Sequence, residues 1–391
     1  MDYEKTLSKT AQGLKPSGIR KFFDMLGGRS DVIALTVGQP DFVTPWHIRE
    51  AGIDSLVTGK TYYTSNSGLI EMRREISKYL SRRFGLKYDQ DEIIVTVGGS
   101  EAIDIAMRAI INPGDEVIIP NPCFVCYEPI ARLCGGVPVT VTTEEKDGFR
   151  LTPDKLRAAM TEKTKLLVLP FPNNPTGAVM KRGDLEKIAE ILRGTDVYVL
   201  SDEIYAEMTY GGDRHVSIAT LDGMKERTVV VNGFSKAYAM TGWCMGYTAA
   251  PHEITKQMLK IHQFAIMCAP TVSQFAAIEA LRSGDPDIES MTDEYDVRRR
   301  FLVSGLRELG IPVFEPEGAF YVFPNIGVFG LDSETFCMRL LNEAGVAIVP
   351  GGAFGECGEG FARISYAYSL RHIEEALRRI GDFVRGLKRN G

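Results

Sequence analysis

From residue 91 onward the chain alternates short runs of β-branched residues with longer amphipathic stretches, and each run ends in a loop of Gly, Pro, Asn or acidic residues. EIIVTV leads into GGS and the helix-like EAIDIAMRAII, DEVIIP into NPCFVCY, TKLLVLP into FPNNPTG, VYVLS into DEIY, and RTVVVNG into FSK. Continuous apolar runs leave no polar face, so they predict strands buried on both sides, and the intervening helices predict parallel pairing. The expected class is α/β, a mostly parallel sheet sandwiched by helices. Ligands of such sheets bind outside the carboxyl ends of the strands, where all five loops converge.

Near LRSGDPDIES (281–290) the pattern changes. The amphipathic SMTDEYDVRRRFLVSGLREL precedes three strand-like stretches, GAFYVFP, GVAIVP and FARISYAY, and a final helix, LRHIEEALRRIGDFVRGL. This order predicts a smaller α+β domain. The segment up to about residue 49 precedes the main sheet and is expected to pack with that smaller domain. The expected division is a large domain over 50–285 and a small one from 1–49 and 286–391. In TPWHIREAGIDSL, Thr44 is expected to N-cap a helix whose first position is Pro45.

A length of 391 residues suits two domains, and 44% hydrophobic with 25% charged residues is the composition of a folded globular protein. The net charge of -6 carries no basic stripe, so nucleic acid is not an expected partner. No apolar stretch approaches the ~18 residues that span a bilayer, and MDYEKTLSKTAQGLKP has no apolar signal core. A cytoplasmic protein without membrane contact is expected. Seven cysteines do not suggest a disulfide framework, and Cys123 and Cys126 form a lone C-x-x-C without a second pair or a nearby histidine. Packing thiols are expected there rather than a redox or metal pair. The five histidines stand in no metal-binding or triad spacing, so core or surface positions are expected and no metal.

Three segments carry candidate chemistry. In VTVGGSEAIDIAM, Gly98 and Gly99 allow a tight turn from strand to helix, and the N–H groups near Ser100 and Glu101 would face outward at the positive helix end. That suits a phosphate, although such turns are also simple punctuation. VYVLSDEIY ends a buried strand with Asp202 and Glu203, and strand alternation lets at most one of them face the cleft, unless both belong to a solvated loop. A carboxylate at ~4 Å from a heterocyclic nitrogen supplies on the order of 4 kcal/mol, or about three pK units, which keeps a pyridine ring protonated. Lys236 follows the last strand, where it either reaches for solvent or is a desolvated amine that captures a carbonyl. GFSKA is not a hydrolase elbow, because its fifth residue is Ala237 and adjacent Ser235 and Lys236 diverge. An anion cradle, an acid for a ring nitrogen and a carbonyl-capturing lysine together match the three contacts that pyridoxal 5'-phosphate (PLP) demands.

NNPTG (173–177), SDEIY (201–205) and FSKAYAMTGW (234–243), in this order and spacing, resemble the fold-type-I PLP aminotransferases of class I/II, the aspartate-aminotransferase-like family. The resemblance runs from SGIRKF at 17 to FARISYAY at 361–368. It implies that Lys236 holds the cofactor aldehyde and then moves the proton, that Asp202 binds the pyridinium nitrogen, and that Tyr205 and Asn174 bond the ring's phenolic oxygen. It further implies a ring stacked on the cofactor at Phe124, phosphate ligands at Gly99, Ser100, Glu101 and Ser235, and substrate α-carboxylate contacts at Gly38 and Arg363. Tyr63 resembles a tyrosine that reaches the phosphate of the neighbouring subunit, which implies a homodimer. Many relatives read MTGWR where this chain reads MTGWC, so Cys244 replaces a phosphate-clamping arginine and weaker PLP retention is expected.

The implied activity is amino transfer between an L-amino acid and a 2-oxo acid by ping-pong kinetics, with aspartate and 2-oxoglutarate first and aromatic amino acids or alanine next. The alternative is a carbon–sulfur β-lyase on the same scaffold. A PLP-sensing domain of a transcription regulator is not expected, because the resemblance begins by about residue 17 and such proteins carry a DNA-binding segment ahead of it. Side-chain specificity is expected from KPSGIRKF and the Tyr62/Tyr63 region.

Overall fold

The computed structural model describes residues 1–16, 18, 31–212 and 214–390, the last three as backbone. Most of KPSGIRKF, expected to shape specificity, lies outside the described residues. The strands are β1 (Ile33–Ala34), β2 (Ile93–Val97), β3 (Glu116–Asn121), β4 (Val137–Thr142), β5 (Thr164–Leu169), β6 (Tyr198–Asp202), β7 (Thr228–Gly233), β8 (Met245–Ala249), β9 (Tyr321–Val322), β10 (Val346–Ala347), β11 (Val349–Pro350) and β12 (Ala362–Ser365).

Seven of them form one sheet in the order β2-β8-β7-β6-β5-β3-β4. Pairing is parallel from β4 through β3, β5 and β6 to β7. The β-branched runs are buried on both faces, as their lack of a polar face requires. Val229 and Val231 pack toward the helices Gly98–Ile110 and His252–Ala265, while Val230 packs toward Ile70–Phe84 and Thr271–Ser283. The expected helix-covered, mostly parallel sheet is thus present.

Two of its strands escape the hydrophobic pattern. The edge strand β4, VPVTVT, is largely exposed. The other, β8, is an antiparallel insertion between β2 and β7, with a glycine at its second position. A Cβ on Gly246 would stand 2.5 Å from the carbonyl carbon of Gly98 and 2.8 Å from the nitrogen of Gly99. Only glycine lets β8 pass that close to the turn where helix Gly98–Ile110 begins.

The C-terminal part builds a second core around β9, β11 and β12, an antiparallel trio, with helices Asp285–Glu308, Ser333–Ala344 and Leu370–Asn390 packed on it. The early strand β1 pairs in parallel with β10, joining Ile33 to Val346 and Ala34 to Ala347. Thr44 departs from expectation. The helix begins at Trp46 without a side-chain cap. The Thr44 hydroxyl instead donates to the carbonyl of Ala239 at 2.6 Å and accepts from the Trp243 indole at 3.1 Å. A long-range partner outcompetes the local cap because it satisfies a buried carbonyl of the loop that carries Lys236.

Candidate active site

Strand β6 ends in buried Asp202, buried Glu203 follows it, and the two point to opposite sides as alternation along an extended chain requires. Neither belongs to a solvated loop. Glu203 accepts from the Ser201 hydroxyl and lies 3.1 Å from His215 Nε2, with both side chains buried. Asp202 faces the cleft, where its Oδ2 accepts from the Tyr127 hydroxyl at 2.7 Å and its Oδ1 from the backbone N–H of Ile204 at 3.2 Å. Burial pushes the Asp202 carboxyl up to about 6, with the Tyr127 and Ile204 bonds and the Lys236 charge pulling the other way.

Lys236 follows β7 in the connection to β8, and this short return places it across from Asp202. Its Nζ donates to the carbonyl of Gly38 at 2.6 Å and lies 5.9 Å from the ring centres of both Tyr205 and Phe320. It does not reach for solvent. Burial, reinforced by the Arg363 charge and opposed by Asp202, brings its pKa down to about 8. About a tenth of the amine is therefore uncharged, and nucleophilic, at pH 7, far more than for an ordinary lysine.

Arg363 sits on β12, held by pairing with Val349 on β11, and is 2% exposed. Its guanidinium donates to Asn174 Oδ1 at 2.9 Å and to the Thr36 carbonyl at 2.6 Å. The plane rests over the rings of Tyr321 and Phe354, at 4.5 and 4.9 Å. Its buried Nε has no partner among the described residues. Gly38 lies between the two cations: a Cβ there would stand 2.6 Å from the Tyr321 hydroxyl and 3.9 Å from Arg363 Nη1. Tyr205, also buried, shares a 2.8 Å hydrogen bond with Tyr321.

On the opposite wall, Gly98 adopts a φ of +75° and opens helix Gly98–Ile110, whose first N–H groups have no intrahelical partner. Gly99 is half-buried and Ser100 exposed. The Glu101 carboxylate is not directed into this cradle. It accepts from the Val97 N–H and meets His262 Nδ1 at 2.6 Å, so only its backbone N–H is left for an anion. Ser235 is half-buried beside Lys236. Phe124, in the loop after β3, meets Tyr127 edge-on with ring centres 6.3 Å apart. Tyr63 is 79% exposed. Cys244 is exposed, at the end of the turn Thr241–Trp243, with a φ of +52°. Cys123 and Cys126 are free thiols raised by burial, and no group of metal-ligating side chains stands among the described residues.

Sequence reasoning missed Tyr127, Tyr321, Thr36 and Phe320. None carries a local signal, because each meets its partner from a distant segment. No helix among the described residues is long and apolar enough to cross a membrane.

Known proteins place this geometry. The family described as "Aminotransferase class I and II" matches residues 30–380. The putative aminotransferase YugH of Bacillus subtilis is 54% identical over 97% of this chain and 98% of its own. An aspartate aminotransferase of Pyrococcus abyssi is 46% identical over 96% and 97%. The crystal structure of the aromatic aminotransferase from Pyrococcus horikoshii superposes with a TM-score of 0.90 at 44% identity, over 95% of this chain and 99% of that one. With a family match over most of its length and relatives this similar, the chain belongs to the class I and II aminotransferases of PLP fold type I.

Proposed function

We propose that the protein uses PLP to move an amino group between L-aspartate and 2-oxoglutarate by a ping-pong mechanism, as a homodimer. The observation that carries the reading is the meeting at Gly38 of a buried amine of lowered pKa, Lys236, and a buried guanidinium, Arg363, with Asp202 facing the amine. The donors fit the cofactor. Unpaired N–H groups at the start of helix Gly98–Ile110 suit a phosphate, and a buried carboxylate suits a ring nitrogen. When bound, PLP supplies an electron sink for the pair left at the substrate α-carbon.

In this reading the backbone at Gly99, Ser100 and Glu101 and the Ser235 hydroxyl hold the phosphate, while Phe124 covers the ring face. Asp202 keeps a proton on the ring nitrogen. Tyr205, steadied by Tyr321, and Asn174, steadied by Arg363, bond the phenolic oxygen. Arg363 grips the substrate α-carboxylate with Gly38 beside it, presenting the α-hydrogen to Lys236 Nζ. That nitrogen, whose pKa burial lowers to about 8, would take the proton in its neutral form and give it back in its charged one.

Aspartate is favoured because a relative 46% identical to this chain is named for it. The relatives described above bear aminotransferase names, and no feature of the site favours the lyase alternative. A second copy of the chain is supported by Tyr63, which is largely exposed, and by the exposed apolar side chains of Trp46, Leu56, Val57 and Phe264. The test is to incubate the PLP form with single amino acids and follow its conversion to the pyridoxamine form. Aspartate is expected to convert it fastest. A faster aromatic amino acid would reassign the substrate, and release of pyruvate and ammonia from cysteine without an oxo acid would restore the lyase.

A further inference from the structure

One buried bond of the site has no part in the roles above. The Tyr127 hydroxyl donates to Asp202 Oδ2 at 2.7 Å, and both side chains are buried. The other donor to this carboxylate is the Ile204 N–H, at 3.2 Å on Oδ1. Burial and the neighbouring Asp202 charge raise the phenol well above its ordinary range, so it keeps its proton and remains a donor. Its position is fixed from two sides. Tyr127 opens the helix Tyr127–Leu133, and its ring braces Phe124 edge-on.

We propose that Tyr127 is a positioning residue for Asp202: its hydroxyl holds one carboxylate oxygen, keeps the acid ionised at neutral pH and aims the other oxygen at the cofactor's ring nitrogen. The proposal rests on the PLP reading above. Its physical core is the cost of a buried carboxylate. Burial favours the neutral acid, and donors to the charged form oppose that shift, the Tyr127 bond foremost. Around Asp202 the other charged or titratable groups are Cys126 on the Tyr127 side, Glu203 next in the chain, Tyr205 beyond it and Lys236 from the facing loop. Cys126 is held neutral by burial, and Glu203 is turned away toward His215. Lys236 adds a favourable charge through space, while its Nζ hydrogen-bonds the Gly38 carbonyl rather than this carboxylate. Tyr127 is then the side-chain donor that remains.

A hydroxyl that merely filled space would weaken cofactor binding equally at every pH. One that sets the ionisation of Asp202 acts only where that acid titrates. Removing a charge-assisted bond of this kind shifts the acid by about one pK unit. The experiment titrates the cofactor-free protein with PLP by absorbance between pH 6 and 8, for the parent and for Tyr127→Phe. The expected ratio of dissociation constants, variant over parent, is close to one at pH 8 and rises to about fivefold at pH 6, where the parent's Asp202 is about half ionised and a one-unit shift leaves the variant about a tenth ionised. A ratio independent of pH would overturn the proposal while leaving the PLP reading intact. A parent that does not bind PLP would overturn both. As an arm that preserves packing, 3-fluorotyrosine at position 127, a stronger donor of nearly the same shape, should move the profile to lower pH. No shift, or a shift to higher pH, would count against Tyr127 even if the phenylalanine variant does not fold.

Discussion

Lys236 Nζ donates a 2.6 Å hydrogen bond to the carbonyl of Gly38, which ties the loop after β7 to a segment 198 residues earlier in the chain. The same glycine stands beside Tyr321 and Arg363, so the amine is held where a substrate carboxylate gripped by that arginine would bring its α-carbon. The bond also explains how a lysine stays in a desolvated cleft: its ammonium form keeps one strong acceptor. Burial still lowers its pKa to about 8.

That value governs how fast the cofactor is taken up. Only the neutral amine attacks an aldehyde, and below its pKa the neutral fraction falls about tenfold per pH unit. Uptake of PLP by the cofactor-free protein should accelerate from pH 6 to about 8 and then level off. An ordinary lysine would keep accelerating toward 10.5. Stopped-flow absorbance across that range checks this, and borohydride reduction followed by peptide mapping should place the added mass on Lys236. Lys236→Ala should abolish transamination while retaining weak cofactor binding.

Asp202 predicts a conflict between function and stability. Its folded-state pKa, about 6, lies above the 3.8 of an unperturbed carboxyl, so between these values the folded cofactor-free protein holds more protons than the unfolded chain. Stability therefore declines as pH rises through this window, and above pH 6 the whole penalty is present, at most about 3 kcal/mol. Asp202→Asn should remove it. The cofactor-free variant should be as stable as the parent at pH 3.5 and more stable at pH 7, while losing nearly all transaminase activity. Urea unfolding at the two pH values is the measurement, and equal stability at pH 7 would refute the account.

Arg363 predicts a binding defect that a conserved charge does not repair. Its guanidinium already donates to Asn174 and Thr36, and its planar fork still offers N–H groups to a carboxylate. A lysine would keep the charge but could not serve all three acceptors. Arg363→Lys should raise KM for amino acid and oxo acid alike by roughly ten- to a hundredfold, the loss of one charge-assisted bond. The change in kcat should be smaller, because this contact acts on bound substrate before and during proton transfer. Steady-state kinetics with both half-substrates separate the two effects.

Lys236 and Asp202 were legible in the sequence because Asp202 ends and Lys236 closely follows a buried β-branched strand, and a charged residue there must either be solvated or serve a ligand. The same logic found five of the sheet's strands. It failed for β8, whose glycine answers to the close backbone of Gly98 and Gly99 rather than to local propensity. It failed for Thr44, whose hydroxyl bonds a carbonyl 195 residues away instead of capping its own helix. Tyr127 was invisible for a related reason: its partner lies 75 residues on, and nothing in FVCYEP distinguishes a buried donor from a packing ring. Arg363 entered only through resemblance, since a cation on a short strand ordinarily reads as surface. Pattern recovers elements and their ends, whereas contacts between distant segments depend on how those elements pack.

Cys244 tests how far a fold compensates for a lost cation. It stands at the end of the turn that leads from Lys236 into β8, close to the glycine-rich start of helix Gly98–Ile110, and its side chain is exposed with only a 3.7 Å contact to the Thr241 carbonyl. A thiol offers a phosphate no charge, so a phosphate bound here would rest on backbone N–H groups and hydroxyls. Cys244→Arg should tighten PLP by about ten- to a hundredfold, the worth of one charge-assisted contact of 1.5–3 kcal/mol. The left-handed backbone at this position, φ +52°, disfavours arginine no more than cysteine, so the exchange adds no new strain. Cys244→Gly separates the two factors: it should stabilise the fold by about 0.5–1 kcal/mol through relief of that conformation, with no gain in PLP affinity. Cofactor titration and thermal unfolding of both variants decide the matter. If the arginine variant binds PLP no more tightly than the parent, the position does not reach the phosphate, and the weaker retention expected of this chain has no basis in Cys244.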